Sequence, residues 1–418
     1  MVPCFALAET HRLSFDQALE RARTEAPEVL LARFDEIQAK QAIRVAKDPF
    51  SPKVVIGSGL AYTYGFPMSI EGSAPSIFQA KAMQSLINKP QSYLLAKSRV
   101  DAQSVAFTVQ ERRDAAIERT AKLYLDASLV RKNLELVQQQ VSSLEAVRGT
   151  VEARVEEGRL LAIESRRAEV NARKAKQRTV LLNTELAQIQ RSLAFVLGYG
   201  AEDEVETQAV NGLAGEVPAD SSEAIRLALD NSRELKRLQS DIQAKNLEFQ
   251  ANRSSWYPQV DLIAQYGLFA RFNNFDQYFN RFQRNNMLLG MSFKFPVVPG
   301  TASSAQAASA LNEVNRLRLR VANARNRIEL DTRKLLDDLR LQRENLDLAK
   351  LDLEVSRDQV SIVLAQIEEG KAAQRQLEEA RFLEAEKWMI YYEASHAVER
   401  AKVSVLAAIG QLEKLAGR

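Results

Sequence analysis

The segment Thr301–Glu369 spans sixty-nine residues without a Gly or a Pro, the two residues least compatible with a helix interior. Its apolar positions form two ladders with a seven-residue step: Leu339, Leu346, Leu353, Val360 and Ile367, and Leu341, Leu348, Val355 and Ile362. A seven-residue step keeps a stripe on one side of a coiled helix. The ladders lie two residues apart, so about 200° apart around the axis. A helix with one stripe packs on one side; a helix with two nearly opposite stripes needs a neighbour on each, as in a wall or ring of helices. At about 1.5 Å per residue it reaches roughly 100 Å. An ordinary long coiled coil satisfies the same stripes.

The opening part of the chain, Ser14–Val55, repeats as Ser221–Ile263, with matched positions at an offset of 205 or 206 residues. Ala18-Leu19, Glu28-Val29 and Ile37-Gln38-Ala39-Lys40 correspond to Ala224-Ile225, Glu234-Leu235 and Ile242-Gln243-Ala244-Lys245. Pro52 and Pro258 then lead alternating runs. Further on, Val155-Glu156-Glu157-Gly158-Arg159 matches Ile367-Glu368-Glu369-Gly370-Lys371, and from Arg159 and from Lys371 run thirty-nine residues without a breaker, ending at Gly198 and Gly410. Leu129 and Leu136 echo Leu341 and Leu348, while Arg148 stands where Val360 continues the second-half ladder. Shared punctuation on this scale marks an internal repeat. The expected organisation is a first repeat over 12–200, an acidic, Gly- and Pro-bearing connector over 201–222, and a second repeat over 223–412. Each repeat reads as helix, two strands, long helix, turn at Glu-Glu-Gly, shorter helix.

The strands are expected at about 53–66 and 76–86, and at about 259–269 and 286–295. In the first, Val54, Ile56, Ser58, Leu60, Tyr62, Tyr64 and Phe66 alternate with a smaller face; in the third, Val260, Leu262, Ala264, Tyr266 and Leu268 share a face. In the last, Met287, Leu289, Met291, Phe293 and Phe295 alternate with Leu288, Gly290, Ser292 and Lys294, which suits a lipid face and a lumen face. The loop between the last two strands is dense in Phe, Tyr, Arg and Asn (Phe272, Phe275, Tyr278, Phe279, Phe282), as suits a membrane–water boundary. Four strands do not close a barrel, and open edges are not tolerated in lipid, so a barrel requires several copies of the chain.

Bulk properties exclude several classes. The chain is 27% charged yet carries a net charge of only +3, which argues against a nucleic-acid binder. One Cys and two His leave no disulfide framework and no Cys- or His-rich metal site. No run of about 18 apolar residues spells a membrane-spanning helix, which says nothing of barrel strands. No nucleophile elbow, phosphate loop or catalytic cluster appears: His11 and His396 lie far apart, and Gly57-Ser58-Gly59 sits inside a strand. No enzyme activity, cofactor or metal is expected. Ala-Leu-Ala before Glu9 reads as the remnant of a signal-peptide cleavage site.

The duplicated hairpins at Gly158 and Gly370, the Pro-led strands Pro52–Phe66 and Pro258–Phe269, and the paired Ala-Leu/Glu-Val helices together resemble the outer-membrane efflux protein (TolC) family, over roughly Arg12–Leu412. The resemblance implies a mainly α fold with a small β part. Duplicated long-helix hairpins would form an α-helical barrel in the periplasm, and four β-strands per chain would contribute to a trimeric twelve-strand transmembrane β-barrel in the outer membrane. It implies the passive exit duct of a tripartite efflux or type I secretion system: a homotrimer in the lipid bilayer, docked on a periplasmic adaptor (membrane fusion) protein and an inner-membrane transporter. The turns would be the periplasmic tip that meets the adaptor: Glu156, Glu157, Gly158, Arg159, Leu160 and Leu161, with Glu368, Glu369, Gly370 and Lys371. The pore constriction would fall at Gln376 and Glu379, three copies of Glu379 focusing a negative field. An i to i+4 pairing of Glu379 with a neighbouring helix remains the alternative. The bases Arg166, Arg167, Arg173, Lys174 and Lys176 are expected to pair across helices with Asp337, Asp338, Asp347 and Asp352. Two other readings stand: a periplasmic adaptor, normally a single hairpin flanked by lipoyl-like halves, and a coiled-coil scaffold, which leaves the Met287–Phe295 alternation unexplained.

Overall fold

The computed structural model describes residues 9–59, 76–208, 212–213, 215–270, 280, 283–297, 300–372 and 374–415. The cleavage-site remnant, strand positions 60–66, the loop 67–75 and the aromatic loop residues named above lie outside the described residues.

In chain order the elements are β1 (Thr10–Leu13), α1 (Phe15–Glu25), α2 (Pro27–Lys47), a 3-10 turn (Asp48–Phe50), β2 (Lys53–Gly59), β3 (Ser76–Ile87), α3 (Lys89–Glu156) and α4 (Ala162–Val196). Then come β4 (Glu204–Thr207), α5 (Ser221–Asn231), α6 (Arg233–Arg253), β5 (Gln259–Phe269), β6 (Asn285–Lys294), α7 (Thr301–Glu368), α8 (Gln374–Ala408) and a 3-10 turn (Leu412–Leu415). Helix lengths run 11, 21, 68 and 35 residues in the first half and again 11, 21, 68 and 35 in the second. The single opening helix expected in each half is two. Ala26, ahead of Pro27, is in an extended conformation, as a residue before proline prefers, and Ser232 breaks the second half at the matching place. Both opening helices are capped alike. Ser14 accepts from the Gln17 N–H, with the Gln17 side chain returning to Ser14, and Asp220 accepts from the Ser222 N–H; such caps satisfy orphan amides of the first turn.

The residues group into two compact units that cut across the repeats. One comprises Met1–Arg33, Val109–Arg233 and Ala324–Arg418; the other Phe34–Thr108 and Glu234–Asn323.

The second unit holds the four-stranded antiparallel sheet, ordered β2-β3-β5-β6. Its register aligns Ile56, Ala80, Tyr266 and Met287 in one row across the strands, and Ala82, Ala264 and Leu289 in another. Because side chains alternate across a strand, Phe78, Leu262, Met291 and Phe293 join them on one apolar face. The opposite face carries Lys53, Gln79, Lys81, Asp261, Gln265, Ser292 and Lys294, interleaved with Val55, Met83, Ile263 and Leu288. All the charged side chains of these described strands thus lie on one face of the sheet. Met287, Leu289, Met291 and Phe293 are all exposed, and among the described residues β2 and β6 are unpaired edges of the sheet.

In the first unit, clusters of buried side chains join neighbouring helices. Val130, Leu134 and Val137 of α3 meet Leu182 of α4 and Met389 of α8. Val360 and Val363 of α7 meet Leu377 and Ala380 of α8. The short helices fill the gaps: Leu19 of α1 and Ala224 and Ala228 of α5 pack with Ile117 and Leu125 of α3, Leu339 of α7 and Leu406 of α8. The two ladders of α7 part here. Leu339 and Leu353 are 2% and 5% exposed, whereas Leu341 and Leu348 are 56% and 66% exposed. One ladder is buried against the rest of the chain, and the other is exposed among the described residues. On α4, Val180, Leu181 and Phe195 are likewise bare. Each half of the fold thus carries one apolar helix face, on α4 and on α7, left exposed among the described residues.

A two-stranded parallel sheet, β1 with β4, joins the N-terminal segment to the connector. The sequence reading assigned no structure to either strand. Four residues are too few to display a period, and the partners lie 194 positions apart. Tyr124 locks this clasp to α3, donating its hydroxyl to the Leu13 carbonyl at 2.9 Å and accepting from the Gln208 N–H at 2.7 Å.

Candidate functional site

Four helix ends in this chain are built the same way. After α3, the Gly158 N–H donates to the Val155 carbonyl and the Arg159 N–H to Arg154, with Gly158 at φ 73°. After α7, Gly370 donates to Ile367 and Lys371 to Gln366, with Gly370 at φ 74°. Gly198 after α4 and Gly410 after α8 repeat the pattern at φ 83° and 69°. This is the Schellman arrangement, in which a left-handed residue lets two amides cap the last carbonyls of the helix. Glycine adopts that conformation without the steric cost a Cβ brings.

Their surroundings separate the four into two pairs. A Cβ on Gly158 or Gly370 would meet nothing within 4 Å. A Cβ on Gly410 would lie 2.7 Å from the Asn231 Cβ, and one on Gly198 would lie 3.1 Å from the Glu25 carbonyl oxygen. The hairpin turns at Gly158 and Gly370 are therefore open, and the pair at Gly198 and Gly410 is packed against the ends of α1 and α5.

The expected tip residues occupy the open turns. Glu156 and Glu368 end their helices, and Glu157, Gly158, Glu369 and Gly370 form the turns. Arg159 and Lys371 fold back on local carboxylates, Arg159 Nε to Glu157 at 3.2 Å and Lys371 Nζ to Glu369 at 2.6 Å. Leu160 is half-buried, and Leu161 is exposed ahead of α4. Two matched turns thus present the same backbone, a carboxylate–cation pair each, and one bare leucine.

The expected constriction residues lie in the first turns of α8. Gln376 and Glu379 are exposed, and Glu379 is paired with Arg375 of its own helix at 3.4 Å. The i,i+4 pairing foreseen as the alternative forms, within α8 rather than with a neighbouring helix. An i,i+4 cation on the same face is the nearest available charge. Glu378, which the sequence reading passed over, sits deeper. Burial lifts its carboxyl above the ordinary range, opposed by the positive charge of Arg154 on α3. The adjacent acids Glu378-Glu379 were the available signal. One of them points toward a neighbouring helix and the other outward.

The expected cross-pairing of basic α4 with acidic α7 is not what forms. Arg167 pairs with Glu164, Arg173 with Glu169, and Lys176 with Glu145 of α3. Asp337 pairs with Arg340, and Asp352 with Lys387 of α8. α4 is joined to α3, and α7 to α8, so these charges find their partners on their own helix or the adjacent one. His396 lies against Asp126 at 2.8 Å, beside Arg400, which places it in a polar contact between α3 and α8. Among the described residues no cluster of three metal-ligating side chains occurs, and no helix is long and apolar enough to cross a membrane.

Residues 224–411, α5 through α8, match the family described as outer membrane efflux protein. No curated protein matches the sequence. Among solved structures, the chain is similar to the CmeC outer membrane channel of Campylobacter jejuni, with a TM-score of 0.78 at 13% identity over 95% of this chain and 85% of that one. It is similar to the outer membrane protein VceC of Vibrio cholerae, with a TM-score of 0.76 at 12% identity over 95% and 96%. The open-state MtrE outer membrane channel of Neisseria gonorrhoeae gives 0.77 at 13% over 96% and 90%. The resemblance read from the sequence is borne out, and so is the fold class: duplicated long-helix hairpins of the α-helical barrel type with a small sheet.

Proposed function

We propose that this chain, which carries an outer membrane efflux protein domain on the fold of outer membrane channels, is one third of a passive exit duct. The observation that carries this reading is the sheet. It has one apolar face, one mixed face that carries all its charged side chains and, among the described residues, two unpaired edges. In lipid an unpaired edge is untenable, so the edges must be covered by other copies. The strands alternate in direction, so β6 of one copy meets β2 of the next in the antiparallel sense. Two copies give eight strands, a barrel whose interior side chains fill; three give twelve, which leaves a lumen.

The bare helix faces support the same assembly. Leu341, Leu348, Val355 and Ile362 of α7 in one copy cover Val180 and Leu181 of α4 in the next, and the helices close into a periplasmic tube. The turns at Gly158 and Gly370 form its free end, where the hairpin of a periplasmic adaptor docks and links the duct to an inner-membrane transporter. Glu379, three times around the axis, narrows that end with carboxylates. No reaction is performed; cargo is chosen by the transporter and passes through.

The test is electrical. Protein extracted in detergent and reconstituted into planar bilayers conducts as discrete channels, and Glu379→Ala raises the single-channel conductance by relieving the constriction. Protein that stays in water without detergent and gives no conductance would overturn the reading. An unchanged conductance in Glu379→Ala would move the constriction elsewhere and leave the duct standing.

A further inference from the structure

We infer that Lys81 sets the charge of the membrane lumen and makes the barrel prefer small anions over cations. The inference rests on the trimeric duct proposed above. The polar face of the sheet carries four charged side chains among the described residues: Lys53, Lys81, Asp261 and Lys294. Two of the three lysines are matched. Lys294 Nζ lies 3.2 Å from Asp261, and Lys53 is paired with Asp48 in the turn ahead of β2. Lys81 is exposed, and its cross-strand neighbours are Val55 and Gln265. Among the described residues no carboxylate pairs with it.

Its placement gives that unmatched charge weight. β3 is an interior strand, flanked by β2 and β5, so Lys81 is fixed at mid-sheet by ladders on both sides. The opposite face at the same level carries Ala80 and Ala82, aligned with Tyr266 and Ala264, the side that meets lipid. A lysine directed into lipid near the midplane is strongly disfavoured; directed into water it costs little. Closure of three copies puts three Lys81 ammonium groups at one height around a water-filled bore with low-dielectric walls. Such a ring concentrates counter-ions, and rings of basic side chains select anions. The barrel and the periplasmic end then carry opposite biases, positive at Lys81 and negative at Glu379.

The experiment measures reversal potentials in planar bilayers under a potassium chloride gradient, for the full chain and for variants, each also in a Glu379→Ala background that removes the opposing ring. In that background the chloride-to-potassium permeability ratio exceeds one and falls as salt screens the ring. Lys81→Gln brings the ratio toward one, Lys81→Glu inverts it, and Lys81→Arg keeps it. A ratio that Lys81→Glu leaves unchanged, in channels that still conduct, overturns the inference while the duct stands. Wild-type protein that forms no channel overturns the duct, and this inference with it.

Discussion

The glycines at the hairpin turns and those at the packed helix ends share a backbone and differ in everything around it. Gly158 and Gly370 turn in open space; Gly198 and Gly410 turn against α1 and α5. The packed ends sit beside the largest core cluster, where Leu406, Ile409, Leu412 and Leu415 are buried, and beside the clasp of β1 on β4. The open turns lie past the last small cluster of α7 and α8. One device, the left-handed glycine cap, thus serves in two settings: at one pair it lets elements approach closely, and at the other it turns the chain in open space.

That contrast breaks most sharply at Gly410. Gly410→Ala drives a Cβ into Asn231 and also forces a left-handed alanine, so the expected loss is about 3 kcal/mol or more. Thermal unfolding in detergent measures it; a melting temperature equal to wild type would show that the two pairs do not differ. Gly198→Ala meets a backbone oxygen at 3.1 Å, a softer contact, and is expected to cost about 2 kcal/mol. At the open turns only the conformational cost remains. Gly158→Ala and Gly370→Ala are each expected to lose about 1–2 kcal/mol while weakening adaptor binding in a pull-down. A bulkier residue there abolishes docking and leaves the assembly intact; unchanged docking would remove these turns as the contact.

The smallest effect belongs to the clasp. Asp203 accepts from the Glu9 and Gly200 N–H groups, which hold its carboxyl below the ordinary value. A lowered value means that its contribution is complete above the ordinary carboxylate range and is lost as pH falls through the lowered one. Amide exchange at Thr10–Leu13 is therefore expected to quicken only at strongly acid pH in wild type. In Asp203→Asn it is expected to be quick at neutral pH. Equal exchange in both would make the clasp independent of this carboxylate.

Much of this was legible in the residues, and the parts that were not have a common cause. Periodicity identified α7 and both its ladders, because a seven-residue step is written in the chain itself. Which ladder is covered depends on which helix stands next to it, and that is decided by residues some two hundred positions away. The same reason undid the expected pairing of α4 bases with α7 acids: their signs matched, but their neighbours were α3 and α8. The break at Pro27 is visible in the residues yet easily bridged, since the apolar pattern continues on both sides of it. The turn glycines stand out because a glycine is costly inside a long helix and so marks its end. That one pair is crowded and the other bare is a fact of packing. Glu378 and Glu379 adjoin in sequence and part in space, and no reading of the string ranks one above the other.

The central claim is that the bare ladder of α7, the bare face of α4 and the open strands β2 and β6 are covered by copies of this chain. The native mass of the detergent-extracted protein, corrected for bound detergent, tests it directly. Three chains are predicted for wild type, and fewer for the double variant Leu341→Asp, Leu348→Asp, with its helical content retained. A wild-type particle of one chain would contradict the account.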